Sequence, residues 1–264
     1  VALKILLPEL ARQDAARERF VAEGKFLLEL DHPAIVKGYR VAHYFPRRGP
    51  EEGKPRDGGD PVFLLSMELV RGKTLLEHLA EKRTFDEDAA LAIVLRTAQA
   101  LEYLRERNVV HRDVKPGNLM IGASNDVKLI DLGFAQTADG ASSSESDELT
   151  LGTVQYLSPE QARGERDLDV RSDIYSLGVT LFHLTVGDLP FHGDAPSDVI
   201  RQHVLAGLSS PALKGRGISP HLHYFIEKMM AKEREIRYAD PKALIADIER
   251  TMAGKKSAVF RPRR

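Results

Sequence analysis

VVHRDVKPGNLMI, residues 109 to 121, sets a dense polar loop between two apolar segments. Taken singly, its members say little, since a histidine beside valines is ordinarily a packed, hydrogen-bonded core residue. The spacing says more. Asp113, Lys115 and Asn118 bring an acceptor, a cation and an amide within six positions of a loop too polar to be core. Such a set can take a hydroxyl proton, neutralise a transferring phosphoryl group and ligate a hard cation.

Thirteen residues beyond Asn118 stands Asp131, in VKLIDLGFA (127 to 135). There an apolar strand ends in a carboxylate, and Leu132-Gly133 turns the chain away. An aspartate before a turn is by itself most often a capping residue. Beside Asn118 it supplies oxygen ligands suited to Mg²⁺, which keeps several waters and needs only one or two carboxylates plus substrate phosphates.

The remaining composition narrows the setting. Lys plus Arg number 38 against 39 Asp plus Glu, so there is no overall bias toward nucleic acid or an anionic membrane, and neither is expected as a partner of this segment. The absence of cysteine removes disulfides, Cys-zinc sites and thiol catalysis, and it favours a reducing compartment, the cytoplasm. The longest apolar stretch, Ile174 to Val186, is broken by polar residues and falls short of the ~20 residues a membrane helix requires.

Period and punctuation divide the chain. Val1-Ala2-Leu3-Lys4 reads as the end of a buried strand, stopped at Pro8, and a helix follows over 14–30 with Phe20, Leu27 and Leu30 on one stripe. Gly24 within it costs roughly 1 kcal/mol against Ala, so that helix depends on tertiary packing. Strands are expected at 38–44 and 62–67, flanking PRRGPEEGKPRDGGDP (46–61), which has almost nothing apolar and reads as a mobile insertion. Helices are expected over 86–107 with Asp86 as N-cap, and over 172–186, 196–206, 220–232 and 241–252. A small strand-rich lobe, 1–69, thus precedes a larger helical lobe, 70–253, and a basic tail, 254–264. The fold class is α+β.

HRDVKPGN (111–118), followed by DLG (131–133) and SPE (158–160), resembles the protein kinases, and the whole chain follows their order. Lys115, two residues after Asp113, is similar to the serine/threonine branch. HPAIV (32–36), GTVQYLSPEQARG (152–164) and RSDIYSLGV (171–179) resemble the bacterial eukaryotic-like serine/threonine kinases in particular. The resemblance implies a bilobal fold, with a small antiparallel sheet and a large helical lobe. It also implies transfer of the γ-phosphoryl group of ATP, with Mg²⁺, to Ser or Thr hydroxyls of proteins.

The same resemblance assigns residues. Lys4 matches the strand lysine that holds the α- and β-phosphates, and Glu23 its ion-pair partner. Two unit charges ~4 Å apart at an effective dielectric of ~20 attract by about 4 kcal/mol before desolvation is subtracted, so the pair suits a latch better than a source of stability. Asp113 would orient or deprotonate the hydroxyl, and Lys115 would meet the γ-phosphate. Asn118 and Asp131 would hold magnesium. Glu68 and Leu69, after the gatekeeper Met67, would offer backbone groups to adenine, and Thr153 would contact Asp113 and Lys115. Glu160 and Arg237 match a buried bracing ion pair, and Asp173 an acid that anchors the catalytic loop.

By the same resemblance, Arg112 before Asp113 implies control by a negative charge on segment 131–160. Within it, ASSSESDELTLGT (141–153) offers Ser142, Ser143, Ser144, Ser146 and Thr150 as candidate acceptors, Thr150 foremost and Ser146 beside it, with transient self-association implied for autophosphorylation. A cytosolic domain of a membrane-anchored receptor would fit as well as a free cytoplasmic enzyme. The family's glycine-rich loop and two strands would precede Lys4, so an N-lobe truncated there, with an unpaired sheet edge, is expected. That absence keeps a non-catalytic, pseudokinase-like scaffold as one alternative. A small-molecule phosphotransferase of similar fold is the other.

Overall fold

The structure, a computed structural model, describes residues 1–44, 61–81, 84–123, 126–132, 136–137, 154–208 and 218–254. The 46–61 insertion, apart from Pro61, therefore lies outside the described residues, as does the tail beyond Gly254. Strands β1 (Ala2–Ile5) and β2 (Gly38–Tyr44) both pair antiparallel with β3 (Val62–Met67), in the order β1-β3-β2. Between β1 and β2 come α1 (Pro8–Ala11) and α2 (Asp14–Glu29).

α2 follows its apolar stripe. Phe20 and Leu27 are buried, and so is Leu30 just past its end. A Cβ on Gly24 would come within 2.9 Å of Val41 Cγ2 on β2, so the glycine that weakens the helix also lets its backbone rest on the sheet. β1 departs from the expected buried strand. Leu3 and Ile5 are 60% and 54% exposed, because they project from the face of β1 opposite Ala2 and Lys4, which no described element covers.

The second part opens with β4 (Gly72–Thr74) and α3 (Leu75–Ala80), a helix started by a capping box in which Thr74 Oγ1 accepts from the Glu77 N–H. α4 (Glu87–Arg105) begins at Asp86, whose carboxylate accepts from Ala89 N–H at 2.8 Å, as expected. Next come β5 (Val109–Val110), β6 (Leu119–Gly122), β7 (Val127–Leu129) and β8 (Gln136–Thr137). β6 pairs with both β4 and β7, while β5 pairs with β8. A Cβ at Gly72 would fall 1.8 Å from the Ile121 carbonyl oxygen, so only glycine admits β4 to β6 at this closeness.

Among the described residues five α-helices follow: α5 (Pro159–Ala162), α6 (Val170–Val186), α7 (Pro196–Leu205), α8 (Pro220–Met229) and α9 (Pro241–Met252). α6 is apolar nearly all round because it is the axis of the larger core. Ile174, Tyr175, Leu177, Leu181 and Phe182 are at most 1% exposed, and full burial of such an aliphatic or phenylalanine side chain contributes roughly 1.5–3 kcal/mol. A second core runs from Phe20, Leu27 and Leu65 through Ile35 to Leu119, Leu129 and Leu132, so it joins the small sheet to the β6–β7 hairpin. Among the described residues no helix is long and apolar enough to cross a membrane.

Candidate active site

Antiparallel pairing explains how distant residues meet. Leu119 faces Leu129 across β6–β7, and one step further Ile130 N–H donates to the Asn118 carbonyl at 3.0 Å. Asn118 and Asp131 therefore emerge at the same open end of one hairpin. The hairpin is itself fastened to the small sheet's side of the molecule: Val36 N–H donates to the Leu129 carbonyl at 2.9 Å, and Leu129 N–H to that of Ala34 at 2.8 Å. HPAIV is thus a clamp between the end of α2 and the hairpin.

The loop before β6 is aimed from beneath. Arg112 has φ +69°, a left-handed conformation that costs a non-glycine residue roughly 1–2 kcal/mol. The buried Asp173 carboxylate on α6 offsets that cost by accepting from His111 N–H at 2.8 Å and Arg112 N–H at 2.7 Å. Burial pushes the Asp173 carboxyl up, against the pull of His111 and Arg112. His111 Nε2 lies 2.7 Å from the Asp131 carbonyl oxygen, so the histidine is a strut between loop and hairpin.

Asp113 is the residue so positioned. Asn118 Nδ2 donates to its carbonyl and to Oδ2, both at 2.8 Å, and Lys115 Nζ is 2.8 Å from the same Oδ2. Among the described residues neither donor is paired with Oδ1, which a hydroxyl can meet. The amide nitrogen of Asn118 being committed, its side-chain oxygen is the atom left for a cation. That oxygen with the Asp131 carboxylate makes a hard donor set, which fits Mg²⁺.

Lys4 reaches this cluster from β1. Its Nζ is 2.7 Å from Glu23 Oε1 on α2 and 2.9 Å from Asp131 Oδ1. Burial works against charge on Lys4, but Asp131 and Glu23 outweigh it and the lysine pKa rises. Burial pushes the Glu23 carboxyl up, and Lys4 only partly opposes it while Asp131 repels. Two acids share one cation.

Met67 is buried, opposite Ala2 and Gly38 in the sheet. Glu68 narrows the expectation that it and Leu69 offer backbone groups to a base. Its N–H already donates to the Lys37 carbonyl at 2.8 Å, which leaves the Glu68 carbonyl and the Leu69 backbone. Its carboxylate is held by Lys128 Nζ at 2.8 Å. Thr153, Thr150, Ser146 and Ser142 to Ser144 lie outside the described residues. Burial lowers the Arg112 pKa, and Asp173 opposes that.

Glu160 and Arg237 form a bidentate pair at 2.7 and 2.9 Å, with neither side chain exposed. Burial alone would push Glu160 up, but Arg237 and the Ser172 hydroxyl at 2.6 Å outweigh it and hold the carboxyl below its ordinary range. Sequence reasoning missed Gln161. Its Nε2 donates to the Arg112 carbonyl at 2.8 Å, so α5 is tied directly to the catalytic loop. A glutamine in a polar stretch carries no signal of such a contact. A cavity of about 670 Å³ lies apart from this cluster, against α7.

A family model described as protein kinase domain matches residues 1–247. The serine/threonine-protein kinase PknB of Mycobacterium leprae is 36% identical over 255 residues, covering 97% of this chain and 39% of that protein. The probable serine/threonine-protein kinase SCO3848 of Streptomyces coelicolor is 34% identical over 256 residues, 97% of this chain and 36% of that protein. A probable serine/threonine-protein kinase PknB of Bifidobacterium longum is 34% identical over 267 residues, 99% and 37%. The chain spans about two fifths of the length of the curated relatives it matches.

Proposed function

The chain belongs to the protein kinase domain family, and from that premise we propose that it is the catalytic domain of an ATP-dependent protein-serine/threonine kinase. The observation that carries this reading is that one hairpin, through the Ile130 N–H bond to the Asn118 carbonyl at 3.0 Å, joins two sets of polar contacts, Lys4 with Glu23 and Asp131 at 2.7 and 2.9 Å and Asp113 with Asn118 and Lys115 at 2.8 Å.

The chemistry follows from the parts. A Ser or Thr hydroxyl meets Asp113, which orients it and takes its proton as the oxygen bonds to the γ-phosphorus. The bond from that phosphorus to the bridging oxygen breaks in line, and ADP leaves with the electron pair. Lys115, beside Asp113, neutralises charge on the transferring group. Lys4 holds the α- and β-phosphates, with Glu23 fixing its reach, and the base sits by Met67 and the Glu68 carbonyl. Magnesium, when bound by Asn118 and Asp131, would supply charge neutralisation at the phosphates. Little covalent chemistry is asked of the protein, so positioning and electrostatics dominate.

Arg112 next to the base supports control by phosphorylation of segment 131–160, with Thr150 and Ser146 as acceptors and another copy of the chain as donor. A phosphoryl group carries ~1.5–2 negative charges, enough to favour the charged form of a guanidinium that burial disfavours. A cytoplasmic setting, free or on the cytosolic side of a membrane-anchored receptor, accords with the composition.

The test is incubation of the protein from its complete reading frame with Mg-ATP, followed by mass spectrometry. Phosphate is expected on serine or threonine and is expected to vanish in Asp113→Asn. No protein phosphate, with transfer instead to an antibiotic or a sugar, would replace this reading by a small-molecule phosphotransferase. No transfer to any acceptor would replace it by a scaffold.

A further inference from the structure

The turn that begins the HPAIV clamp closes on a titratable ring. Ala34 N–H donates to His32 Nδ1 at 3.2 Å, and Ile35 N–H donates to the His32 carbonyl at 3.0 Å. The ring lies against Tyr103 on α4, with the centroids 5.0 Å apart, and the Tyr103 hydroxyl accepts from Asp31 N–H at 2.9 Å. Residues 31 and 32 thus rest on one tyrosine.

This turn stands between α2, which ends at Glu29, and β7, whose Leu129 N–H donates to the Ala34 carbonyl at 2.8 Å. Lys37 Nζ, donating to the Leu30 carbonyl at 2.9 Å, ties the far side of the turn back to the end of the helix. Glu23 is carried on α2. Where the turn seats the helix therefore decides where Glu23 meets Lys4.

An imidazole accepts at Nδ1 only while it is neutral, since both nitrogens of the charged ring are donors. Protonation would set one N–H against another, and Ala34, only 4% exposed, would have its amide left without an acceptor. The surroundings oppose the proton. Burial, then Arg107 and Arg96 on α4 and Lys128 on β7, lowers His32 below its ordinary value, 6.5. Arg107 is fixed in place, its guanidinium carbon 3.5 Å from the Tyr103 ring centre and its Nη1 donating to the Tyr103 carbonyl at 3.0 Å. Asp31, the adjoining acid, is 3.2 Å from Lys37 Nζ, and Lys128 Nζ is held by Glu68. The ring is neutral near pH 7 and takes its charge only in acid.

We propose that His32 is a positioning residue for Glu23, its neutral ring bracing the turn that seats α2 against the hairpin, so that acid unseats the brace and lowers the use of ATP. The proposal rests on the protein kinase reading.

The test uses the protein from its complete reading frame, with a copy carrying Asp113→Asn as the acceptor. It follows kcat/KM for ATP from pH 8 to pH 5, beside a melting curve at each pH to confirm a folded enzyme. Asparagine keeps a side-chain oxygen for the N–H two residues on and does not titrate. His32→Asn is therefore expected to match the unmodified protein at pH 8 and to exceed it roughly 3- to 10-fold by pH 5, the weight of about one neutral hydrogen bond. Acid losses that come from ATP or Asp113 are common to both proteins and cancel in that ratio. His32→Ala, with no acceptor at any pH, should already be down by a similar factor at pH 8. In a Glu23→Gln background the gain from His32→Asn should vanish, because the brace acts through Glu23. A ratio that stays flat from pH 8 to pH 5 overturns the proposal, as does an unaltered His32→Ala at pH 8 or a gain that survives Glu23→Gln. An unmodified protein that phosphorylates no polypeptide removes the kinase reading and this inference together, whereas an active one with a flat ratio removes the inference alone.

Discussion

Lys4 Nζ lies 2.9 Å from Asp131 Oδ1, an ion pair between residues 127 apart that ties β1 to the end of β7. The same ammonium is 2.7 Å from Glu23. Lys4 and Asp131 are each about a third exposed, so solvent screening keeps the pair's contribution to stability small, within the range of about 0–1 kcal/mol. Its role is geometric. Phosphate oxygens arriving at Asp131 would offer Lys4 a third anionic partner, and Glu23 would keep the lysine extended toward them.

Glu23→Gln should therefore cost activity and spare the fold. The expected loss in kcat/KM for ATP is roughly 10- to 100-fold, since misplacement of a catalytic group by about 1 Å costs on that order. The thermal midpoint should move by no more than about 1 kcal/mol would move it. Steady-state kinetics beside a melting curve check both. A midpoint that collapses while residual activity per folded molecule is normal would mean that Glu23 is a structural acid.

Asp113→Asn keeps an oxygen for Asn118 and Lys115 to meet, so the loop geometry should survive. Phosphoryl transfer is expected to fall by about 10²- to 10⁴-fold, the usual weight of a general base, while ATP binding persists. A nucleotide-induced thermal shift combined with labelled-phosphate incorporation separates the two. Normal incorporation would sink the role given to Asp113.

Arg237→Met tests the brace. Removing one partner of a buried pair leaves an uncompensated charge and costs about 3–5 kcal/mol. At about 2–4 °C per kcal/mol, the midpoint should fall on the order of 10 °C. The pH dependence has a definite sign. Because Glu160 is held below its ordinary value, 4.5, its stabilisation is complete above that value and is lost as pH falls below it through the depressed folded-state pKa. Below pH 4.5 the unmodified protein should therefore lose stability more steeply than Arg237→Met.

The long periodic elements were legible in the sequence because burial and period coincide in them. α2, α4 and α6 lie within two residues of their expected spans, and Asp86 caps α4 as expected. The short helices α1, α3 and α5 were not foreseen, as four to six residues are too few to show a period. α3 and α5 both begin with capping boxes, at Thr74 and Ser158, a signal that was present and unused. β1 misled because alternation says which face is apolar but not whether anything covers it. In the site, spacing exposed Asp113, Asn118 and Asp131, since their loops are too polar to be core. Gln161 and His111 as a strut depend on contacts between distant elements, and no local pattern encodes them.

Asp173 offers the sharpest test of how the catalytic loop is aimed. Its two carboxylate oxygens each accept one backbone N–H, Oδ2 from His111 and Oδ1 from Arg112, and the two bonds help to hold Arg112 in its left-handed conformation. Asp173→Asn has one acceptor oxygen and presents a donor to the other N–H. One buried N–H is then left without its acceptor, at a cost of about 1–3 kcal/mol. The strain at Arg112 has less to oppose it, and Asp113 is the next residue. The expected result is a modest fall in the melting midpoint with a disproportionate loss of kcat, on the order of 10²-fold, at unchanged KM for ATP. Glu is the informative control: Asp173→Glu keeps both acceptors on a longer stem, so it should restore more stability than activity. Equal losses of stability and kcat in both variants would show that Asp173 supports the core and does not aim the loop.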